Sequence, residues 1–167
     1  VGIMVDHLRA AGGMVITASH NPAAWNGIKA LRHDGTAPPP EQAEQIIQQF
    51  HDDDVPGVEA EAIPTCAADA STVDVHLQRV LPLVDARAIR AAKLKVVLDS
   101  VHGGGGPEAR ALLDALGVEL VHLYGEPTGR FPHPPEPTRE HLGELAEAVK
   151  QHGAALGFAQ DPDADRL

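Results

Sequence analysis

Asp161, Asp163 and Asp165 alternate in the run Asp161-Pro162-Asp163-Ala164-Asp165-Arg166. Three carboxylates this close repel one another unless a cation sits among them, and an all-oxygen donor set suits a hard divalent ion. The spacing is not that of an EF-hand loop, whose sixth position needs Gly where this chain has Arg166. A cationic side chain beside such a metal fits an anionic substrate. The plainer alternative is a solvated acidic turn.

A second chemical candidate lies far away in sequence, in Thr17-Ala18-Ser19-His20-Asn21-Pro22. Ser19-His20 invites a nucleophile and its base, but adjacent side chains on an extended segment point apart. The serine-hydrolase elbow G-x-S-x-G is also absent, because Thr17 and Asn21 occupy its glycine positions. A serine carrying a phosphoryl group fits better: its oxygens would add hard ligands, and Lys29 or Arg166 would balance the charge. Ordinary Ser/Asn/Pro turn chemistry is the alternative.

The elements that must hold these groups follow from periodicity. Met14–Thr17 and Gly27–Leu31 read as short strands. After Pro38-Pro39-Pro40 a helix carries Ala43, Ile46, Ile47 and Phe50 at i, i+3, i+4 and i+7. Asp52-Asp53-Asp54 reads as its solvated end, and residues 52–71 as a connection. Ser71-Thr72-Val73-Asp74 resembles a capping box for a helix with Val73, Leu77, Val80, Leu81 and Val84 on one face. Strands at 94–99, 118–122 and 154–159 then alternate with helices that begin near Pro107 and Thr138. Strand-helix-strand order implies an α/β fold, with parallel or mixed sheets flanked by helices in three α/β/α layers. Ligands of such sheets gather beyond the C-terminal strand ends, where the three aspartates stand. The expected division is 1–70, a connecting helical segment at 71–92, and 93–167.

Composition sets limits. Thirteen Lys and Arg against twenty-four Asp and Glu leave a net charge of −11 over 167 residues, which disfavours nucleic-acid backbones as partners. A hydrophobic share of 43% supports a packed core, and 3% aromatics leave it to Ala, Val, Leu and Ile. The lone Cys66 excludes an internal disulfide framework. No apolar run approaches a membrane span of about 18 residues, so a cytoplasmic protein with no membrane partner is expected. The chain opens on Val1-Gly2-Ile3 without Met and stops just after the acidic run, which suggests a piece of a longer protein.

Together, Thr17–Pro22, Asn26-Gly27-Ile28-Lys29 and Asp161–Arg166 resemble the α-D-phosphohexomutase superfamily, in order and in separation. Gly129-Arg130-Phe131-Pro132 through Pro135-Glu136-Pro137 matches as well. The resemblance implies that Ser19 is a phosphoserine exchanging its phosphoryl group with a hexose phosphate through a hexose bisphosphate. It implies one Mg²⁺ held by Asp161, Asp163, Asp165 and the phosphate on Ser19. It implies that His20 and Lys29 line the site for proton transfer or phosphate contact, and that Arg166 touches the phosphoryl group. The chain would be the later part of the first domain and most of the second, inactive by itself. Ala18, Pro162 and Ala23-Ala24-Trp25 lean toward the phosphoglucosamine mutases, with phosphomannomutases and phosphoglucomutases as the alternatives.

One rival of another class rests on His102-Gly103-Gly104-Gly105-Gly106-Pro107-Glu108-Ala109, a G-x-G-x-x-A match before a helix, with Glu126 downstream. It would make a dinucleotide-binding oxidoreductase domain, and it leaves Ser19 and the aspartates unexplained. A metal-stabilised structural domain explains the aspartates alone. His102 and His133 could approach the site from strand-end loops, and Trp25 is expected to pack the serine loop.

Overall fold

The computed structural model describes residues 1–22, 24–53 and 57–167, so Ala23 of the Ala-Ala-Trp signature and Asp54 of the acidic run lie outside it. The chain forms two compact units, Val1–Val15 with Lys29–Thr72, and Ile16–Ile28 with Val73–Leu167.

The first unit holds α1 (Gly2–His7), most of the paired strands β1 (Gly12–Ile16) and β2 (Ile28–Arg32), and α2 (Pro40–His51). α2 starts where the prolines predict, with Pro40 in its first turn, where a missing N–H costs nothing. Its apolar stripe is exposed, however, and Phe50 is 75% accessible. Periodicity placed this helix correctly and says nothing about what covers it.

The second unit is the more regular. After α3 (Thr72–Val80) and α4 (Ala86–Ala92) come β3 (Lys95–Asp99), α5 (Gly106–Ala115), β4 (Glu119–Leu123), α6 (Gly143–His152) and β5 (Leu156–Ala159). The three strands run parallel in the order β4-β3-β5, with Val97 opposite Val121 on one side and Gly157 on the other. β3 is central, which explains its unbroken Val96-Val97-Leu98 run: a parallel strand covered on both faces needs apolar residues throughout. Val96 packs with Leu116 and Val118 on one face of the sheet, beneath Ile89 and Leu112. Val97, wholly buried, packs with Leu145 and Ala148 of α6 on the other. The unit is therefore three-layered, and both crossovers deliver loops to the C-terminal ends of the strands.

Two details depart from the expectation. The helix from Thr72 stops at Val80, because Pro82 sits in the tighter turn Leu81–Leu83 and the side chain of Asp85 then caps α4 at Ala88 N. Val84 is accordingly exposed, and Val75, outside the expected stripe, is the buried residue of α3. Thr138 opens only the short turn Arg139–His141, and α6 begins at Gly143.

Leu145→Ala should destabilise this unit by about 2–5 kcal/mol, since it opens a cavity between α6 and the central strand. Urea unfolding followed by far-UV circular dichroism measures this, with an unchanged midpoint as the contrary result.

Candidate functional site

The acidic loop leaves the end of β5 with Asp161 only 1% exposed. One carboxylate oxygen of Asp161, Oδ1, accepts from the backbone N–H groups of Asp165 and Arg166 at 3.1 and 3.2 Å, and Ala164 N closes the turn on Asp161 O. The other, Oδ2, receives the hydroxyl of Ser19 at 2.9 Å. Ser19 Oγ also lies 3.2 Å from Asp163 Oδ1, and Thr17 Oγ1 donates to Asp163 Oδ2 at 3.2 Å. Groups 142 and 144 residues apart thus meet within hydrogen-bonding distance.

The glycine loop explains how the acidic loop comes so close. Gly104 N donates to Pro162 O at 2.8 Å, and a Cβ on Gly103 would stand 2.5 Å from that same oxygen. A Cβ on Gly105 would collide with Ala164. Gly103 and Gly105, from the run that prompted the dinucleotide-loop alternative, thus lie against the acidic loop where a Cβ has no room.

The serine turn corrects one expectation. Ser19 is not extended but left-handed, with φ of +52°, a conformation uncommon outside glycine and concentrated at functional sites. That bend brings the ring of His20 back toward Ser19, with Nδ1 3.4 Å from Oγ, so the two side chains do not point apart. The backbone N–H of Ser19 donates to Thr17 Oγ1 at 2.8 Å, and Asn21 Nδ2 bonds Ala18 O at 2.9 Å, which is the turn chemistry expected of Asn21.

Two predicted site residues, His20 and Arg166, flank the cluster beside a residue that sequence reasoning passed over. Glu136 Oε1 lies 3.9 Å from His20 Nε2 and 3.8 Å from Arg166 Nη1. The signal was present in Pro135-Glu136-Pro137, where two fixed φ angles present a carboxylate stiffly. Thr17, also passed over, is a hydroxyl two residues before a turn serine, positioned to cap its N–H. Lys29 is exposed on β2 and belongs to the first unit.

The loop bearing Glu136 is pinned from behind. His133 Nε2 contacts Asp99 Oδ2 at 2.9 Å, its Nδ1 contacts Pro134 O at 2.9 Å, and Asp99 is 2% exposed. His133 thus serves the loop's anchorage rather than the reacting groups. His102 borders a cavity of about 300 Å³ that starts at Ser19 and includes Trp25 and Phe131. Trp25 is 69% exposed, so it does not pack the serine loop as expected.

Ligand oxygens of Asp161, Asp163 and Asp165 come within 4.8 Å of one another. All donors are hard, and burial pushes the Asp161 carboxyl above the ordinary carboxylate range, with the nearby Asp163 adding to the effect and the Ser19 hydrogen bond opposing it. A divalent cation is the counter-charge this donor set fits, and calcium, magnesium or manganese suit oxygen ligands of this kind.

Family models decide the lineage. Residues 74–167 match phosphoglucomutase/phosphomannomutase alpha/beta/alpha domain II, and residues 1–56 match domain I of the same description. The chain belongs to this phosphohexomutase family. It is 39% identical over 156 residues to a probable phosphoglucosamine mutase of Methanosarcina barkeri, covering 93% of this chain and 35% of the relative. A phosphoglucomutase/phosphomannomutase of Thermococcus kodakarensis is 36% identical over 96% of this chain and 35% of its own length. The crystal structure of a putative phosphomannomutase from Thermus thermophilus superposes with a TM-score of 0.80 at 26% identity, over 99% of this chain and 37% of that one. The phosphohexomutase chain thus spans about a third of the length of the curated relatives it matches. Among its described residues, no helix is long and apolar enough to cross a membrane.

The raised Asp161 gives a signed prediction. Without metal the folded state holds its proton more tightly than the unfolded chain, so stability falls as pH rises above 3.8. Asp161→Asn keeps an oxygen for the two backbone donors and removes the buried charge. In chelator, thermal melts should show the wild-type melting point falling relative to that of the Asn variant as pH rises above 3.8, the other acids being common to both. A wild-type melting point that instead gains on the variant as pH rises would contradict the burial argument.

Proposed function

We propose that this chain supplies the phosphoserine and the metal ligands of a phosphohexomutase that interconverts hexose 6-phosphate and hexose 1-phosphate through a hexose bisphosphate. The carrying observation is the Ser19 hydroxyl at 2.9 Å from Asp161 and 3.2 Å from Asp163. A phosphoryl group on that oxygen would enter a ring of carboxylates, which repels it unless a cation intervenes.

Mg²⁺, when bound, would neutralise charge on the transferring phosphoryl group. Asp161, Asp163 and Asp165, with an oxygen on Ser19, are the residues that would hold it. Asp161 is already oriented by its two backbone donors, so little ordering remains to be done on binding. Arg166 presents a planar fork of donors suited to phosphate oxygens. His20 stands close enough to Ser19 to exchange a proton with it or with the leaving hydroxyl, and Glu136 lies behind the ring at 3.9 Å from its Nε2. Lys29 would contact the phosphate or shuttle a proton. Residues 1–70 would be the later part of the serine-bearing domain, 71–92 a connection, and 93–167 the metal-loop domain. The substrate assigned by this reading is a hexosamine phosphate, on the relatives named phosphoglucosamine mutase.

Ser19→Ala in the longer parent protein should abolish the one-phosphate mass increment and cut turnover by ~1000-fold or more, as loss of a covalent carrier does. Intact-protein mass spectrometry and a coupled mutase assay measure both, with and without Mg²⁺. Undiminished turnover in the variant would refute the carrier role.

A further inference from the structure

Three residues at the edge of the sheet carry polar chemistry that the reacting groups do not use. Ser100, directly after β3, is 1% exposed. Its hydroxyl lies 2.9 Å from Nε2 of His122 on β4 and 3.0 Å from Oε1 of Gln160, which follows β5. An amide oxygen can only accept and a hydroxyl has one proton to give, so Ser100 donates to Gln160 and accepts from His122. Nε2 therefore carries the ring proton and Nδ1 the lone pair. That Nδ1 is buried and has no hydrogen-bond partner among the described residues. Burial lowers the pKa of the ring below the ordinary 6.5, with Arg110 adding to the effect and Asp99 and Glu126 opposing it. A neutral ring is what the position permits, because a proton on Nδ1 would be a buried donor with nothing to meet. Gly125 leaves the ring its seat, since a Cβ there would stand 2.5 Å from Nδ1.

The chain of bonds crosses the sheet from β4, past the end of β3, to the end of β5, and it stops one residue short of Asp161. The backbone is tied along the same line, Ser100 N to Leu123 O at 3.1 Å and Gln160 N to Asp99 O at 2.9 Å. Past Gln160, Asp161 is bonded within its own loop and to Ser19. We propose that His122, Ser100 and Gln160 are positioning residues that fix where the acidic loop leaves the sheet, and so set the affinity of Asp161, Asp163 and Asp165 for a divalent cation. The cation rests on the phosphohexomutase reading; the placing of the loop does not. Buried polar networks are worth more than their separate bonds, and outer partners of metal ligands commonly change metal affinity by about 10–100-fold.

The amides of Asp165 and Arg166, both bonded to Asp161 Oδ1, report the place of the loop without any metal. In chelator, NMR should show them exchanging with water ~tenfold faster in Ser100→Ala and His122→Leu than in the wild-type chain. The Val97 amide of the central strand should keep its rate. His122→Gln retains an N–H that can replace the imidazole donor and should stay within a few-fold of wild type. Nitrogen-15 shifts of the wild-type ring should place the proton on Nε2. With Mg²⁺, calorimetry should give Ser100→Ala an affinity about tenfold weaker and His122→Gln an affinity near wild type. Unaltered Asp165 and Arg166 exchange in Ser100→Ala, Val97 exchange quickened as much as theirs, or a proton on Nδ1 each overturns the positioning role. So does His122→Gln exchanging as fast as Ser100→Ala, a comparison that holds even where His122→Leu does not fold. Ser100→Ala binding Mg²⁺ as tightly as wild type overturns the link to the cation. A wild-type chain that binds no Mg²⁺ tells against the mutase reading, and the exchange rates then decide the positioning role alone.

Discussion

The arrangement of this protein turns on a carboxylate that has been taken out of water and given a hydroxyl and more carboxylates for company. Asp161 is nearly inaccessible, yet its carboxylate meets backbone N–H groups, Asp163 and the Ser19 oxygen rather than a cationic side-chain group. A buried acid in such surroundings is unfavourable in the ionised form. Natural proteins keep such arrangements where something else supplies the missing positive charge. Everything else in the second unit serves to hold that imbalance in place.

The holding is done by backbone more than by side chains. β3, β4 and β5 end at one edge of the sheet, and the loops after them must converge there. The loop after β3 is made of glycines so that the acidic loop can rest on it at main-chain distance. The Ser19 segment approaches from the opposite end of the sequence and is bent left-handed to present its oxygen. Glu136, on a loop stiffened by proline, keeps His20 and Arg166 near the same point.

Much of this was legible in the sequence where local rules act. The alternation of strands and helices from Leu94 onward and the Pro40 helix start obeyed periodicity and capping chemistry. The three aspartates and the serine turn declared themselves through residue type. What stayed hidden depended on geometry that no local pattern encodes. The left-handed Ser19 reversed the expected relation to His20, Pro82 ended the anticipated helix at Val80, and the contact of Glu136 with His20 and Arg166 is a meeting of distant loops. The purpose of the glycine run was equally illegible, because Gly103 meets Pro162 and Gly105 meets Ala164, both some sixty residues downstream. The stripe on α2 showed the converse limit, a local pattern that formed its helix without revealing a partner for it.

The bond between His133 and Asp99 has a mechanical consequence. Asp99 sits in the interior at the end of the central strand, and the imidazole reaching it belongs to the Pro-rich segment that borders the reaction space. Lifting that segment would take one of two hydrogen-bond partners from a carboxylate inside the protein, leaving only the bond that Val101 N gives to its other oxygen. The segment therefore behaves as a fixed wall, not a flap.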